Sequence, residues 1–422
     1  MTNLFERVTP PAGDVIEFGP TGIVTPDHPI IPFVRGDGIG PEIWSAARAV
    51  ADAAVHCAYD GRRAVAWFEV YAGQGGAERY GADERLPADT LAAIRRYRVA
   101  IKGPLATPVG GGARSINVAL RQELDLYANV RPVRYLPGLP SPLKFPEKVD
   151  LVIFRENTED VYAGVEWAAG SPEARQIIDL VNTRLMPERA PLNAEAAIGI
   201  KPITRRASQR LVRAAIEYAR QNAYPSVTLV HKGNIMKFTE GGFLRWGQEV
   251  ARSEFGELTI TEKDVKEKHQ GRAPEGKIVI KDRIADAMFQ ELILRPDEHA
   301  VIATTNLNGD YLSDAAAALV GGLGFAAGAN IGDGFAVFEA VHGTAPDIAC
   351  RDVANPSSLI LTMREMLRYI GWHEAADLIF AALKTVIGRG CVTADVACWL
   401  PDTVPFSCSE FAQTVVEEIG TS

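Results

Sequence analysis

The chain has 422 residues, long enough for two or three structural units around a sizeable core. Its formal charge of −9 speaks against a phosphate-tracking nucleic-acid surface, and its ordinary composition against a fibrous or disordered chain. Five cysteines with no C-x-x-C pair or zinc spacing fit free thiols in a reducing compartment, and no apolar run reaches bilayer-spanning length. The opening MTNLFERVTPPAGD has no signal-peptide or transit-peptide character, so a cytoplasmic protein without membrane or nucleic-acid partners is expected.

In chain order, the apolar run at 30–34 predicts a buried strand. The turn Gly36-Asp-Gly-Ile-Gly-Pro41 follows, opening a helix near Glu42. Further strands are predicted at 98–102, 151–154, 227–230 and 300–303, with helical patterns between several of them. That alternation gives an α/β class with a largely parallel sheet at its centre. The stretch from about Asp160 to Arg205 breaks the rhythm and reads as an inserted arm. Such an arm packs on its own domain or crosses to a partner subunit, and the sequence leaves both open. Two glycine-rich stretches imitate nucleotide loops. Gly36–Pro41 lacks the dinucleotide spacing, and in Gly271–Lys277 the following Ile278 replaces the metal-binding hydroxyl, so both read as turns.

The chemistry-bearing residues begin in GGGARSINVALRQELDLYANVRPVRY, which carries Ser115, Asn117, Arg121 and Arg131, with Arg155 following. Arginine grips a carboxylate through two parallel hydrogen bonds, which lysine cannot copy. Arg121 and Arg131 are ten positions apart, so they converge only from different elements. Any one of them alone is more commonly solvated. Downstream, Asp310 and Asp314 share a face if a helix starts near Gly309, and like charges so placed cost a few tenths of a kcal/mol unless a cation lies between them. Asp286 offers a third oxygen ligand, and an all-oxygen set suits Mg²⁺ or Mn²⁺. An isolated acidic pair of this kind is more often a solvated face or an N-terminal dipole partner. Lys232 directly follows a predicted strand, where such sheets present side chains to a ligand crevice. Its bland alternative is a surface lysine; that of Tyr162 is packing.

Taken together, the motifs GPLATPVGGGARSINVALRQELDLYANVRPVRY, FRENTEDVYAGVEW, HKGNIMKFTEGGF, NLNGDYLSDA, GANIG and HGTAPDIA resemble the bacterial homodimeric isocitrate dehydrogenases, within the metal-dependent β-decarboxylating dehydrogenases. The resemblance runs essentially end to end. It implies a large domain of 1–126 and 321–422, a small domain of 127–159 and 206–320, and a clasp at 160–205 that joins two subunits. It assigns Ser115 and Asn117 to the distal carboxylate of isocitrate, Arg121, Arg131 and Arg155 to the other two, and Tyr162 and Lys232 to proton handling. Asp286, Asp310 and Asp314 hold the metal, with the lysine and one aspartate coming from the neighbouring subunit. Four cations and a divalent metal set against three aspartates leave a surplus that matches a tricarboxylate; a dicarboxylate would strand charge in a desolvated pocket.

For the cofactor, the resemblance places His342, Gly343, Thr344 and Asn355 around the adenosine, and Thr107 and Glu339 toward the nicotinamide. NADP-using members typically carry lysine and tyrosine after HGTAP and a tyrosine and arginine near the C-terminus. Here those positions are Asp347, Ile348, Ala394 and Cys398. All four phosphate grips are missing, and Asp347 both suits a free ribose diol and repels a 2′-phosphate. The expectation is therefore NAD. The rival readings are the same reaction with NADP, isopropylmalate or homoisocitrate dehydrogenase, and a catalytically silent nucleotide- or RNA-binding protein of the same fold. Ser115 and Asn117 argue against apolar-tailed substrates, which would leave those polar groups unpaired.

Overall fold

The computed structural model describes residues 5–19, 22–106 and 115–421. Its framework is one eleven-stranded sheet. From edge to edge the strands are Thr259–Thr261, Ile278–Ile284, Ser226–His231, Val301–Thr304, Asp150–Glu156, Ala128–Arg134, Ala327–Gly332, Phe335–Ala340, Val99–Lys102, Ile30–Val34 and Ala66–Glu69. Ile30–Val34 and Ser226–His231 are buried along their whole length, so both faces of the sheet need cover. The Gly40–Ala58 helix buries Ile43, Ala47, Val50, Ala54 and neighbours, a stripe set by the 3.6-residue period, and the Arg205–Gln221 helix does the same with Leu211, Val212, Ala215 and Ala219.

Both flanks of the sheet are parallel, as the alternating pattern predicts. The middle is not. Ala128–Arg134 runs antiparallel to both neighbours, and Ala327–Gly332 forms a hairpin with Phe335–Ala340. The hairpin turn is Asp333-Gly334, with Gly334 at φ 81°, a left-handed conformation that glycine adopts without steric cost. This antiparallel seam positions the site. Side chains two apart share a face, so Asn129 and Arg131 project together, and the pairing of Asn129 with both Asn330 and Arg155 sets the three strands in register.

The glycine-rich stretches are turns, as expected. In the first, the buried Asp37 carboxylate accepts from the backbone N–H groups of Gln74 and Ala106, each at 2.8 Å. Gly38 sits at φ 61°, and a Cβ there would lie 2.0 Å from the Thr344 carbonyl oxygen, so only glycine fits. The second lies between the Glu262–Lys268 helix and the Ile278–Ile284 strand, with Gly271 and Gly276 in open space. Between 160 and 205, Glu166–Trp167 pairs with Ile198–Gly199, the Pro172–Leu180 helix is capped by Ser171, and Leu180, Leu185, Met186 and Leu192 are exposed. Among the described residues, no helix is long and apolar enough to cross a membrane.

Candidate active site

Three guanidinium groups reach one place from three elements. Arg121 lies in the last turn of the Ile116–Glu123 helix, Arg131 in the Ala128–Arg134 strand and Arg155 in the Asp150–Glu156 strand; all three are buried. They are close enough that neighbouring guanidinium charges weaken the hold of Arg131 and Arg155 on the proton. Burial and the charges of Arg131 and Arg121 bring Arg155 down to about 10, and burial with Arg121 lowers Arg131.

Anchoring acids and amides hold the cluster. Arg121 donates to Glu339 at 3.0 Å, and Glu339 also takes Lys102 at 2.6 Å and the Asn330 amide at 2.8 Å. Burial alone would raise the Glu339 carboxyl, but Lys102 and Arg121 more than offset it and hold it well below the usual range. Arg131 donates to Asn129 at 2.7 Å, Ser313 at 2.5 Å and Asp314 at 2.9 Å. Arg155 donates to Asn306 at 2.8 Å and to Asp310. The expected helix carries the aspartates but begins three residues earlier, spanning Asn306–Ala318, and puts Asp310 and Asp314 one turn apart facing the arginines.

The Tyr162 hydroxyl donates to Asp310 at 2.7 Å, and burial with this bond pushes its ionisation up to about 12. Burial likewise pushes Asp310 upward, yet Arg155, Tyr162 and Arg131 outweigh it and keep the carboxyl below its ordinary value; at Asp314 burial wins. Ser115 stands at the N-cap of the Ile116–Glu123 helix, and Asn117 lies one turn before Arg121 on the same face. Among the described residues, the buried Asn117 Oδ1 and Arg121 Nε have no hydrogen-bond partner, so the cluster has polar capacity to spare for a ligand.

Lys232 follows the Ser226–His231 strand as expected, but its ammonium pairs with Asp286 on the Ala285–Leu294 helix, and both are partly exposed. No three acid, histidine or cysteine side chains cluster as a metal site among the described residues of one chain. The candidate site thus comes in two parts: Arg121, Arg131, Arg155, Tyr162, Asp310 and Asp314 in one, Lys232 and Asp286 in the other.

On the expected cofactor side, Thr107 lies outside the described residues. The His342 Nδ1–H donates to the Gly343 carbonyl at 2.9 Å, and burial lowers its imidazole pKa; the Thr344 carbonyl accepts from the Ile39 amide at 2.9 Å. Asn355 donates to Asp395 at 3.0 Å. Glu339, expected to face nicotinamide, is the buried anchor of Arg121 and Lys102. Sequence reasoning missed Lys102, Asn129, Asn306 and Asn330, which orient the arginines through the contacts above.

The family model described as isocitrate/isopropylmalate dehydrogenase matches residues 30–415. The chain belongs to that family. Curated members include an isocitrate dehydrogenase (NADP) of Archaeoglobus fulgidus, 54% identical over 416 residues, covering 98% of this chain and 99% of that protein. One of Pseudomonas aeruginosa is 52% identical over 419 residues, covering 98% and 100%. The solved structure of isocitrate dehydrogenase from Methylococcus capsulatus superposes with a TM-score of 0.75 at 40% identity, covering 93% of this chain and 99% of that one.

The names of these relatives, and of one from Haloferax volcanii at 53% identity, overturn the expectation of NAD. The structure supplies a physical reason why four missing grips misled. Asp347 lies exposed in the short Pro346–Ile348 turn, where water and salt screen its repulsion, while Ile348 packs against the core. Arg351 brings another guanidinium against that turn, 3.5 Å from the Asp347 carbonyl. Loss of one set of phosphate grips is therefore not a bar to phosphate.

Proposed function

We propose that the protein is an isocitrate dehydrogenase, oxidising and decarboxylating isocitrate to 2-oxoglutarate and CO₂ with NADP⁺ as acceptor and Mg²⁺ or Mn²⁺ as metal. One observation carries the substrate: three buried arginines converge beside Asp310 and Asp314, with the Arg121 Nε–H unspent. Buried cations in that number need anionic compensation, and a tricarboxylate brings more of it than a dicarboxylate. The family and the names of its members support the reaction, and those names support NADP⁺.

In this reading Ser115 and Asn117 bind the distal carboxylate, and Arg121, Arg131 and Arg155 grip the other two through paired hydrogen bonds. Asp310 and Asp314, one turn apart on the Asn306–Ala318 helix, fit a hard cation's oxygen ligands, with Asp286 as a third. When bound, the cation supplies Lewis-acid polarisation of the substrate oxygens and the nicotinamide supplies the hydride acceptor. Lys232, as the neutral amine once its proton has passed to Asp286 or a bound water, would accept the substrate hydroxyl proton as hydride leaves C2, with the Asp310 carboxylate as the partner acceptor. Tyr162, protonated at neutral pH, then delivers a proton to C3 after CO₂ departs.

Lys232 and Asp286 pair away from Asp310 within one chain, which suits a homodimer in which each subunit lends this pair to its neighbour. The exposed apolar residues between 160 and 205 suit the clasp role for that segment. His342, Gly343, Thr344, Asp347, Ile348 and Asn355 would line the adenosine side. The test is reduction of NADP⁺ with isocitrate and Mg²⁺, run beside isopropylmalate, homoisocitrate and NAD⁺. No reduction with isocitrate rejects the assignment.

A further inference from the structure

We infer that Glu240 is a positioning residue that holds Lys232 and the Asp310 helix in one register, an inference resting on the roles of Lys232 and Asp310 just given. Glu240 opens the Glu240–Ser253 helix and is 0% exposed. Its Oε2 accepts from the Lys232 backbone N–H and from the Asn308 amide, both at 2.9 Å. Its Oε1 accepts from the Thr305 hydroxyl at 2.9 Å and lies 3.0 Å from the Lys201 ammonium. An ionised carboxylate offers about four acceptor sites, and every partner here is a donor, so the group is fully used.

The partners join three elements. Thr305 is the N-cap residue of the Asn306–Ala318 helix, yet its side chain makes no bond to that helix and donates to Glu240. Such a residue ordinarily satisfies its own helix, so the Glu240 contact has displaced the local one. Asp160, also 0% exposed, accepts from the Leu307 amide at 3.0 Å and shares Lys201 with Glu240. Two buried carboxylates and one ammonium therefore fix the first turn of the helix that carries Asp310. The Lys232 turn is clamped on the other side. Gly233 packs so closely on Gly241 that a Cβ would approach to 2.9 Å, and Lys232 accepts from Ile235 and Met236 at 3.1 and 3.0 Å.

Lys232 and Asp310 have no direct contact between their side chains in this structure, since one pairs with Asp286 and the other with Arg155 and Tyr162. Their common link is one Glu240 oxygen, which binds Lys232 itself and Asn308, two residues before Asp310. Tilting that carboxylate moves the proposed base and the proposed metal helix together. In Glu240→Gln only one oxygen remains as acceptor, and the amide NH₂ must face a donor.

The experiment compares wild type, Glu240→Gln and Asn308→Ala by steady-state kinetics in H₂O and D₂O and by amide hydrogen exchange of the Lys232 segment. For Glu240→Gln the expected result is a kcat loss of roughly 30-fold, part of what a displaced acid–base group forfeits, with KM for isocitrate within about threefold. The solvent isotope effect on kcat should rise and exchange at 232–236 should quicken. Asn308→Ala, which removes one bond from a half-buried side chain, should shift the same readouts in the same direction by a few-fold, and it decides the matter if Glu240→Gln does not fold. A kcat within twofold of wild type with unchanged exchange overturns the inference, as does a parallel fall in kcat and rise in KM without a larger isotope effect. A wild type that fails to oxidise isocitrate instead sinks the functional reading, and the exchange data still judge the positioning.

Discussion

The Tyr162 hydroxyl donates to Oδ2 of Asp310 across 2.7 Å, while Arg155 holds Oδ1 of the same carboxylate and its guanidinium carbon lies 4.8 Å from the Tyr162 ring centroid. A phenol so placed keeps its proton at neutral pH, since burial and the Asp310 bond push it up to about 12. An acid delivering a proton late in a reaction needs that state.

Tyr162→Phe should therefore spare hydride transfer and impair the later protonation. Turnover is expected to fall about 100-fold while the first-turnover burst of reduced nicotinamide persists. Stopped-flow absorbance separates the two; a burst that slows as much as turnover removes Tyr162 from the late step.

Arg131→Lys keeps the charge and loses the fork. Arg131 bonds Asn129, Ser313 and Asp314 through two nitrogens, a geometry an ammonium cannot reproduce. Losing a charged hydrogen bond costs about 1.5–3 kcal/mol, so the isocitrate dissociation constant should rise about 10- to 100-fold by calorimetry. Unchanged affinity would remove Arg131 from substrate binding.

Lys102→Met leaves Glu339 buried with Arg121 as its remaining cation. Removing one partner of a buried pair costs about 3–5 kcal/mol, which thermal or denaturant unfolding would register. The sign of the pH dependence follows from the depressed Glu339 carboxyl. Its stabilisation is present above the unfolded value near 4.5 and is lost as pH falls from there toward the lower folded value. In wild type, stability should drop through that acid window, and in Lys102→Met the drop should be shallower. An equal slope in both would show that Glu339 is not held by Lys102.

Asp347→Lys with Ile348→Tyr replaces a screened repulsion with attraction at the proposed adenosine side. After screening, the gain at an exposed position is about 1 kcal/mol, several-fold in kcat/KM for NADP⁺. No change would put the 2′-phosphate away from that turn.

Much of this was legible in the chain. The buried strands follow from local pattern, because alternation and apolar content agree there, whereas the meeting of Arg121, Arg131 and Arg155 was legible only through the resemblance, since it arises from one helix and two antiparallel strands. The antiparallel seam was announced only by Asp333-Gly334, a two-residue signal inside an otherwise parallel rhythm. Lys102 looked like an ordinary strand residue and Glu339 was expected toward the nicotinamide, since 237 positions separate partners whose pairing arises from two adjacent parallel strands. The cofactor expectation misled for a different reason: four missing phosphate grips and the charge of Asp347 were treated as decisive, though the weight of an exposed charge depends on solvent and on Arg351 nearby. The separation of Lys232 from Asp310 has no local signature at all, because it depends on which strand ends each residue occupies.

The most direct test of the tricarboxylate pocket is kcat/KM for isocitrate against isopropylmalate with NADP⁺ and Mg²⁺, followed in the reduced-nicotinamide absorbance band. Isocitrate should win by at least about 100-fold, the scale expected when a site built for polar and charged groups meets an analogue that leaves them unpaired. Equal rates, or a preference for isopropylmalate, would contradict the account.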